Sequence, residues 1–196
     1  MPIHLRLRIH RTDGKTGSYS QKDERRAKVL LQRLDPETIF SSGPIVVGTL
    51  NPFSILNADE VCWVEVETGL VTKKIRPPSV DQVRKLSGRE EYEAILARQW
   101  PRWRSSKQPD VPGKLIEALI ELSLRSGAYL YLHVTGVIAK TPLTRLIFGT
   151  PATTATFEPD GTVYINPKCI VRARVYHSMK VVSFPNGLWC AEADDI

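Results

Sequence analysis

Apolar and polar residues alternate over His4–His10, with Leu5, Leu7 and Ile9 pointing one way and Arg6, Arg8 and His10 the other. That period of two predicts a half-buried strand with a cationic outer face. Thr12–Ser18 reads as a polar loop around Asp13-Gly14. Ser20 as cap and Asp23 in the first turn predict a helix over Gln21–Leu34, striped by Ala27, Leu30, Leu31 and Leu34 and ended by Asp35-Pro36. Ile39–Thr68 reads as a β region broken at Gly43-Pro44, Asn51-Pro52 and Asn57. Within it, Val61–Glu67 sets Cys62, Val64 and Val66 against Trp63, Glu65 and Glu67.

The character changes after Lys73. Ser79 with Gln82 and Ser87 with Glu90 fit capping boxes, predicting a short helix over Val80–Leu86 and a longer one over Gly88–Gln99. Tyr92, Ile95 and Leu96 stripe the longer helix, and a basic, aromatic loop follows with Trp100, Arg102, Trp103, Arg104 and Lys107. Asp110 as cap, Pro112 in the first turn and Gly127 past the end predict the firmest helix, Pro112–Arg125. Tyr129–Ile138 then alternates as a strand, Leu130, Leu132 and Val134 against Tyr129, Tyr131 and His133. The remainder reads as all β. Strands are expected at Arg145–Phe148, at Thr154–Phe157 and Thr162–Ile165 around Glu158–Gly161, and at Ile170–His177. A tight hairpin over Lys180–Ala193 and a frayed acidic tail, Glu192–Ile196, complete the chain.

One short pattern occurs twice. Ser54–Glu67 and Val163–Tyr176 each run from an apolar stretch through an Asn turn, at Asn57 and Asn166, into an alternating strand. Duplication of one β unit and chance likeness of half-buried strands both produce this pattern. The fold class expected is α+β: two small, mostly antiparallel β units with SH3-like or Sm-like barrel or sandwich character and a helical segment between them. The units are residues 1–72, with one inserted helix, and residues 128–196. The connecting segment is 73–127, and the whole forms one compact body if the Leu5–Ile9 strand joins the units.

The chain of 196 residues is long enough to bury a core without staples. No apolar run approaches the roughly 20 residues of a membrane helix, and the N-terminus lacks an apolar leader, so a cytoplasmic protein with no membrane contact is expected. Cys62, Cys169 and Cys190 are odd in number and widely spaced, which fits buried thiols in a reducing compartment. Net charge is +6, unevenly placed. Residues 1–34 carry nine Lys and Arg against three acids, 35–72 carry six acids and neither Lys nor Arg, and 73–107 carry ten against four. Two readings are open: a face for a polyanion, or internal pairing of the acidic segment with its basic neighbours.

No motif carries catalysis, and no catalytic residue, metal ligand or cofactor is assigned. There is no Gly-x-Ser-x-Gly elbow. His4 and His10 lie about 20 Å apart on one strand, too far to share a metal. Asp13–Ser18 lacks the glycine spacing of a nucleotide-binding loop. Collective support is greatest for a non-enzymatic binding protein with nucleic acid as partner. Arg6, Arg8, Arg102, Arg104, Arg172 and Arg174 would meet phosphates, and Trp103 and Tyr131 would stack on bases. That requires the strands bearing Arg6, Tyr131 and Arg172 to be neighbours. The competing arrangement buries the tyrosines under helices and pairs the arginines with Glu65 and Glu67. The alternative function is a protein–protein assembly or adaptor module whose partner is another protein or a second copy of the chain, as a homo-oligomer, with Trp63 as anchor.

Overall fold

The computed structural model describes residues 3–41, 43–48, 53–70, 82–105, 115–137, 153–157 and 161–178. The chain is mixed α and β, and mostly sheet. Its strands are β1 (Leu5–Arg11), β2 (Thr16–Gln21), β3 (Ile45–Gly48), β4 (Phe53–Leu56), β5 (Val61–Glu67), β6 (Gln82–Lys85), β7 (Leu115–Leu124), β8 (Tyr129–Val137), β9 (Thr153–Phe157), β10 (Gly161–Ile165) and β11 (Ile170–His177). The helices are α1 (Glu24–Arg33) and α2 (Arg89–Ser105). One sheet of nine strands runs β11-β7-β8-β6-β9-β10-β5-β1-β2, and β3–β4 form a separate arm. The pairings are antiparallel except β6–β9, joined at Arg84–Thr156. The strands expected at Arg145–Phe148 and Lys180–Ala193, the tail and Cys190 lie outside the described residues. No helix among the described residues is long and apolar enough to cross a membrane.

The strands with one clean apolar face form where alternation places them. On β1, Leu5 and Ile9 are buried, and they join Val64 and Val66 of β5 and Tyr164 of β10 beneath Ala27 and Leu31 of α1. The expected loop Thr12–Ser18 is instead a hairpin turn followed by β2. Gly14, at φ 77°, lets Arg11 N–H bond Lys15 O at 3.0 Å and Gly14 N–H bond Arg11 O at 3.1 Å. Ser20 therefore sits in a strand, and Asp23 caps α1 by accepting from the Arg26 N–H at 2.8 Å.

Two expected helices are strands. Over Pro112–Arg125 the described chain is β7. Its residues Ala118, Ile120, Leu122 and Leu124 enter one apolar cluster, and Leu119 enters another with Leu86, Tyr92, Trp103 and Tyr131. A strand buried on both faces is a nearly continuous apolar run, and such a run satisfies helical spacing equally well. Gly127 misleads for a related reason. Its φ of 81° suits a helix end, but here it closes a hairpin loop, with Leu124 N–H bonding Ala128 O and Gly127 N–H bonding Leu124 O, both at 2.9 Å. A Cβ at Gly127 would meet nothing within 4 Å. Gly127→Ala is therefore expected to lose about 1–2 kcal/mol, from backbone strain alone, in chemical denaturation. The second correction is β6, in place of a helix over Val80–Leu86. Val83 faces the first apolar cluster, whereas Arg84 pairs with Glu91 of α2 at 2.9 Å and Leu86 packs beneath α2.

The expected Gly88–Gln99 helix is present, but it continues to Ser105 with Pro101 inside it. The segment Trp100–Ser105 is therefore helical and not a loop. Proline costs a helix interior about 3 kcal/mol, which burial of Trp103 in the same stripe as Tyr92 and Leu96 offsets. Ser87 meets an acid as expected, but it is Glu91, at 2.7 Å from the Ser87 N–H, and not Glu90.

The sheet is curled. One apolar cluster holds Trp63 of β5, Val83 of β6, Ile120 of β7, Leu132 of β8, Ala155 of β9 and Val163 of β10. At one end, Arg125 N–H reaches Cys169 O at 2.9 Å and Thr12 N–H reaches Glu60 O at 3.0 Å. Among the described residues no pairing closes the sheet into a barrel: β11 pairs with β7 and β2 with β1. Strands before residue 72 and after 128 share the sheet through β5–β10.

The two Asn turns have one local geometry. Each Asn caps a short 3-10 turn, Ala58–Glu60 or Pro167–Cys169, by accepting from the N–H two residues on, and each turn leads into a strand. Their surroundings differ. Asn57 is exposed, whereas Asn166 is buried and donates to Ala58 O at 3.2 Å and Val61 O at 3.0 Å in the first turn.

Candidate nucleic-acid interface

The expected site residues divide into three groups, and sheet order decides which. Arg6 and Arg8 lie on β1, separated from β8 by β5, β10, β9 and β6. Register sets Arg6 opposite Glu67 and Arg8 opposite Glu65. Arg6 pairs with Glu67 at 3.3 Å, and Arg8 with Glu65 at 3.3 Å and Glu67 at 2.8 Å. Lys85 of β6 reaches Glu65 at 2.7 Å, and His10 Nε2 lies 3.7 Å from it. The acidic segment thus pairs with both basic neighbours here, and Arg6 and Arg8 are not offered to phosphates as free cations. Burial alone would raise the Glu65 carboxyl, but hydrogen bonds and charge from His10 and Lys85 outweigh it and hold the group well below the usual carboxylate range. His10 also stacks on Trp63, 3.9 Å between ring centres and 10° between planes. Trp63 is therefore core and not an exposed anchor.

Trp103 and Tyr131 are the second group. Each is 8% exposed, packed with Leu86, Tyr92 and Leu119 where α2 lies on the sheet. Neither presents a ring face to a base, which corrects their expected stacking role.

The third group is Arg102, Arg104, Arg172 and Arg174, all exposed. β11, β7 and β8 are adjacent, and their registers align residues in rows across one face. One row is Arg172, Ser123 and Tyr129; the next is Arg174, Glu121 and Tyr131; the third is Tyr176, Leu119 and His133. The neighbourhood required of the Arg172 and Tyr131 strands therefore exists, with β7 between them. α2 covers part of this face. Tyr129 stays 52% exposed at one end, and Trp100 of α2 meets Tyr176 edge-on at 5.0 Å. Arg102, Arg104 and Arg174 are exposed and have no acid within ion-pair distance among the described residues. Arg172 faces Glu121 at 3.5 Å and keeps over half its side chain in solvent. Arg102 and Arg104 also complement the negative end of the α2 dipole, a structural role that leaves their outer faces open.

Alternation along β11 leaves Arg172 and Arg174 exposed, whereas Trp103 and Tyr131 are buried. Trp100 and Tyr129 are exposed and Tyr176 is half-buried beside Trp100. The spacing of Tyr92, Leu96 and Trp103 holds the signal for Trp103, provided the helix is carried through Pro101.

No group of three or more His, Cys, Asp or Glu suited to a metal exists among the described residues. Cys62 and Cys169 are free and buried in one apolar cluster. Burial and the neighbouring Cys62 push the Cys169 thiol up to about 12, away from the thiolate a nucleophile needs. Asp13–Ser18 belongs to a hairpin and does not open a helix. The chain matches no family model, no curated protein and no solved structure.

Proposed function

We propose that the chain is a non-enzymatic nucleic-acid-binding protein that holds single strands along α2 and β11. One observation carries the reading: Arg102, Arg104 and Arg174, cations without acidic partners among the described residues, lie on the two elements joined by the Trp100–Tyr176 ring contact. Cations track the phosphate backbone, and accessible rings stack on bases whatever their sequence. Tyr129, in the row of Arg172, extends the same strip. The buried free thiols Cys62 and Cys169 suit the reducing cytoplasm in which this reading sets the protein.

Anisotropy titrations with labelled single strands and duplexes test the reading. Affinity is expected to fall steeply between about 50 and 200 mM salt. Changing Arg102, Arg104 and Arg174 to Ala should flatten the salt slope by about 0.7 for each contact removed. Trp100→Ala should cost about 1–3 kcal/mol of binding at every salt concentration. No binding by the unaltered chain at low salt overturns the proposal.

A further inference from the structure

The sheet has two ends among the described residues, and they are built differently. β11 carries the devices that keep an edge from pairing with another strand: a register shift between Ile170 and Arg172, then Arg172 and Arg174. β2 carries none. It reads Thr-Gly-Ser-Tyr-Ser-Gln, without charge or proline, and its register with β1 is unbroken from Leu5–Gln21 to His10–Thr16.

The outward groups of β2 follow from its ladder. The Arg11–Lys15 pair is hydrogen-bonded, so by antiparallel alternation Gly17, Tyr19 and Gln21 bond to β1. Thr16, Ser18 and Ser20 then direct their main-chain N–H and C=O away from the sheet, where no described strand meets them. Their side chains share a face with Arg6, Arg8 and His10, their register partners on β1.

We infer that β2 is the contact surface for a second copy of this chain, the two β2 strands pairing antiparallel about a two-fold axis. Such an interface is isologous, each copy offering the same strand. With Ser18 opposite Ser18, Thr16 falls opposite Ser20, and each opposed pair uses the outward groups. Electrostatics select a copy at this edge. Like charges directly opposed across a ladder are destabilising, and self-pairing through β11 would crowd Arg172 and Arg174 of both copies together. At β2 no charge is opposed, and the neighbouring Arg6 and Arg8 are already neutralised by Glu67 and Glu65. A net-basic chain can thus approach itself here without repulsion. β2 and β11 are different strands of the sheet, so the contact uses none of Arg102, Arg104, Arg172 and Arg174.

The test is solution mass over a concentration series without nucleic acid, by light scattering and sedimentation. The unaltered chain should pass from monomer to dimer as concentration rises. Ser18→Pro removes an outward N–H at the centre of the contact and leaves the bonds to β1 intact. It should be monomeric throughout, with circular dichroism and melting unchanged. Ser18→Lys opposes two like charges, so it should be monomeric at low salt and recover dimer at high salt as the repulsion is screened. That salt rescue reads the contact even if Ser18→Pro fails to fold. A chain monomeric at all concentrations, or a dimer equally strong in Ser18→Lys at low salt, overturns the inference. Either result leaves the nucleic-acid reading standing, since that is tested by titration with oligonucleotides.

Discussion

Replacing Glu65 with alanine is expected to remove about 3–5 kcal/mol of stability, the usual cost of taking one partner from a buried ionic cluster. The Glu65 side chain is 7% exposed and neutralises Lys85 at 2.7 Å and Arg8 at 3.3 Å. These residues come from β6, β5 and β1, so the carboxylate ties together strands far apart in sheet order. Without it, Lys85 is left 21% exposed, over the Phe157 ring, with no counter-charge among the described residues. Urea denaturation of the alanine variant measures the loss, and an unchanged midpoint would refute the role. The pH dependence has a fixed sign. The folded carboxyl lies below its ordinary value of 4.5, so the native state favours the ionised form. The contribution is complete above that value and is lost as pH falls below it, toward the folded pKa. Glu65→Gln cannot titrate, so its stability gap from the unaltered chain should narrow on acidification below 4.5.

Asn166→Ala is expected to lose about 2–4 kcal/mol, because it strands two buried carbonyls and a turn N–H together. The amide donates to Ala58 O and Val61 O, and its oxygen accepts from Lys168 N–H at 3.1 Å. It thereby ties the second 3-10 turn to the first, a contact reinforced by Lys168–Asp59 at 2.8 Å on the surface. Asn57→Ala supplies the internal comparison. Asn57 makes the same cap to Asp59 N–H at 3.1 Å but is exposed and has no cross-turn bonds among the described residues. Its loss should be about 0.5–1 kcal/mol. Equal losses at the two positions would show that the cap, and not the cross-turn bonding, sets the cost.

The contrast shows what a sequence pattern conveys. Both Asn turns are legible from residue type alone, since an Asn side chain bonding its own backbone is a local event. Which of them is buried depends on where the chain returns more than a hundred residues later. Strands whose sequences alternate, at Leu5–Arg11, Val61–Glu67, Tyr129–Val137 and Ile170–His177, are legible for the same local reason, although β5 proves to be buried on both faces. β7 is not, because burial on both faces erases the period of two and leaves spacing a helix would share. The end of α2 is not, because packing of Trp103 outweighs the local preference against Pro101.

The candidate site divides along the same line. Arg172 and Arg174 face together by alternation, which the sequence contains. Their alignment with Tyr129 and Tyr131 depends on β7 lying between β11 and β8, which it does not contain. Arg6 and Arg8 show identical alternation, yet register places them on Glu67 and Glu65, some sixty residues away in sequence.

The sequence by itself determined the α+β class, the two Asn turns, the alternating strands and the segregation of charge. These follow from side-chain type and from spacing within a few residues. The tertiary structure alone decided which cations are neutralised, which aromatic rings are covered and which sheet edge is left unguarded. Those outcomes depend on strand order and register, set by burying apolar faces contributed by distant segments, and neither period nor composition carries that information.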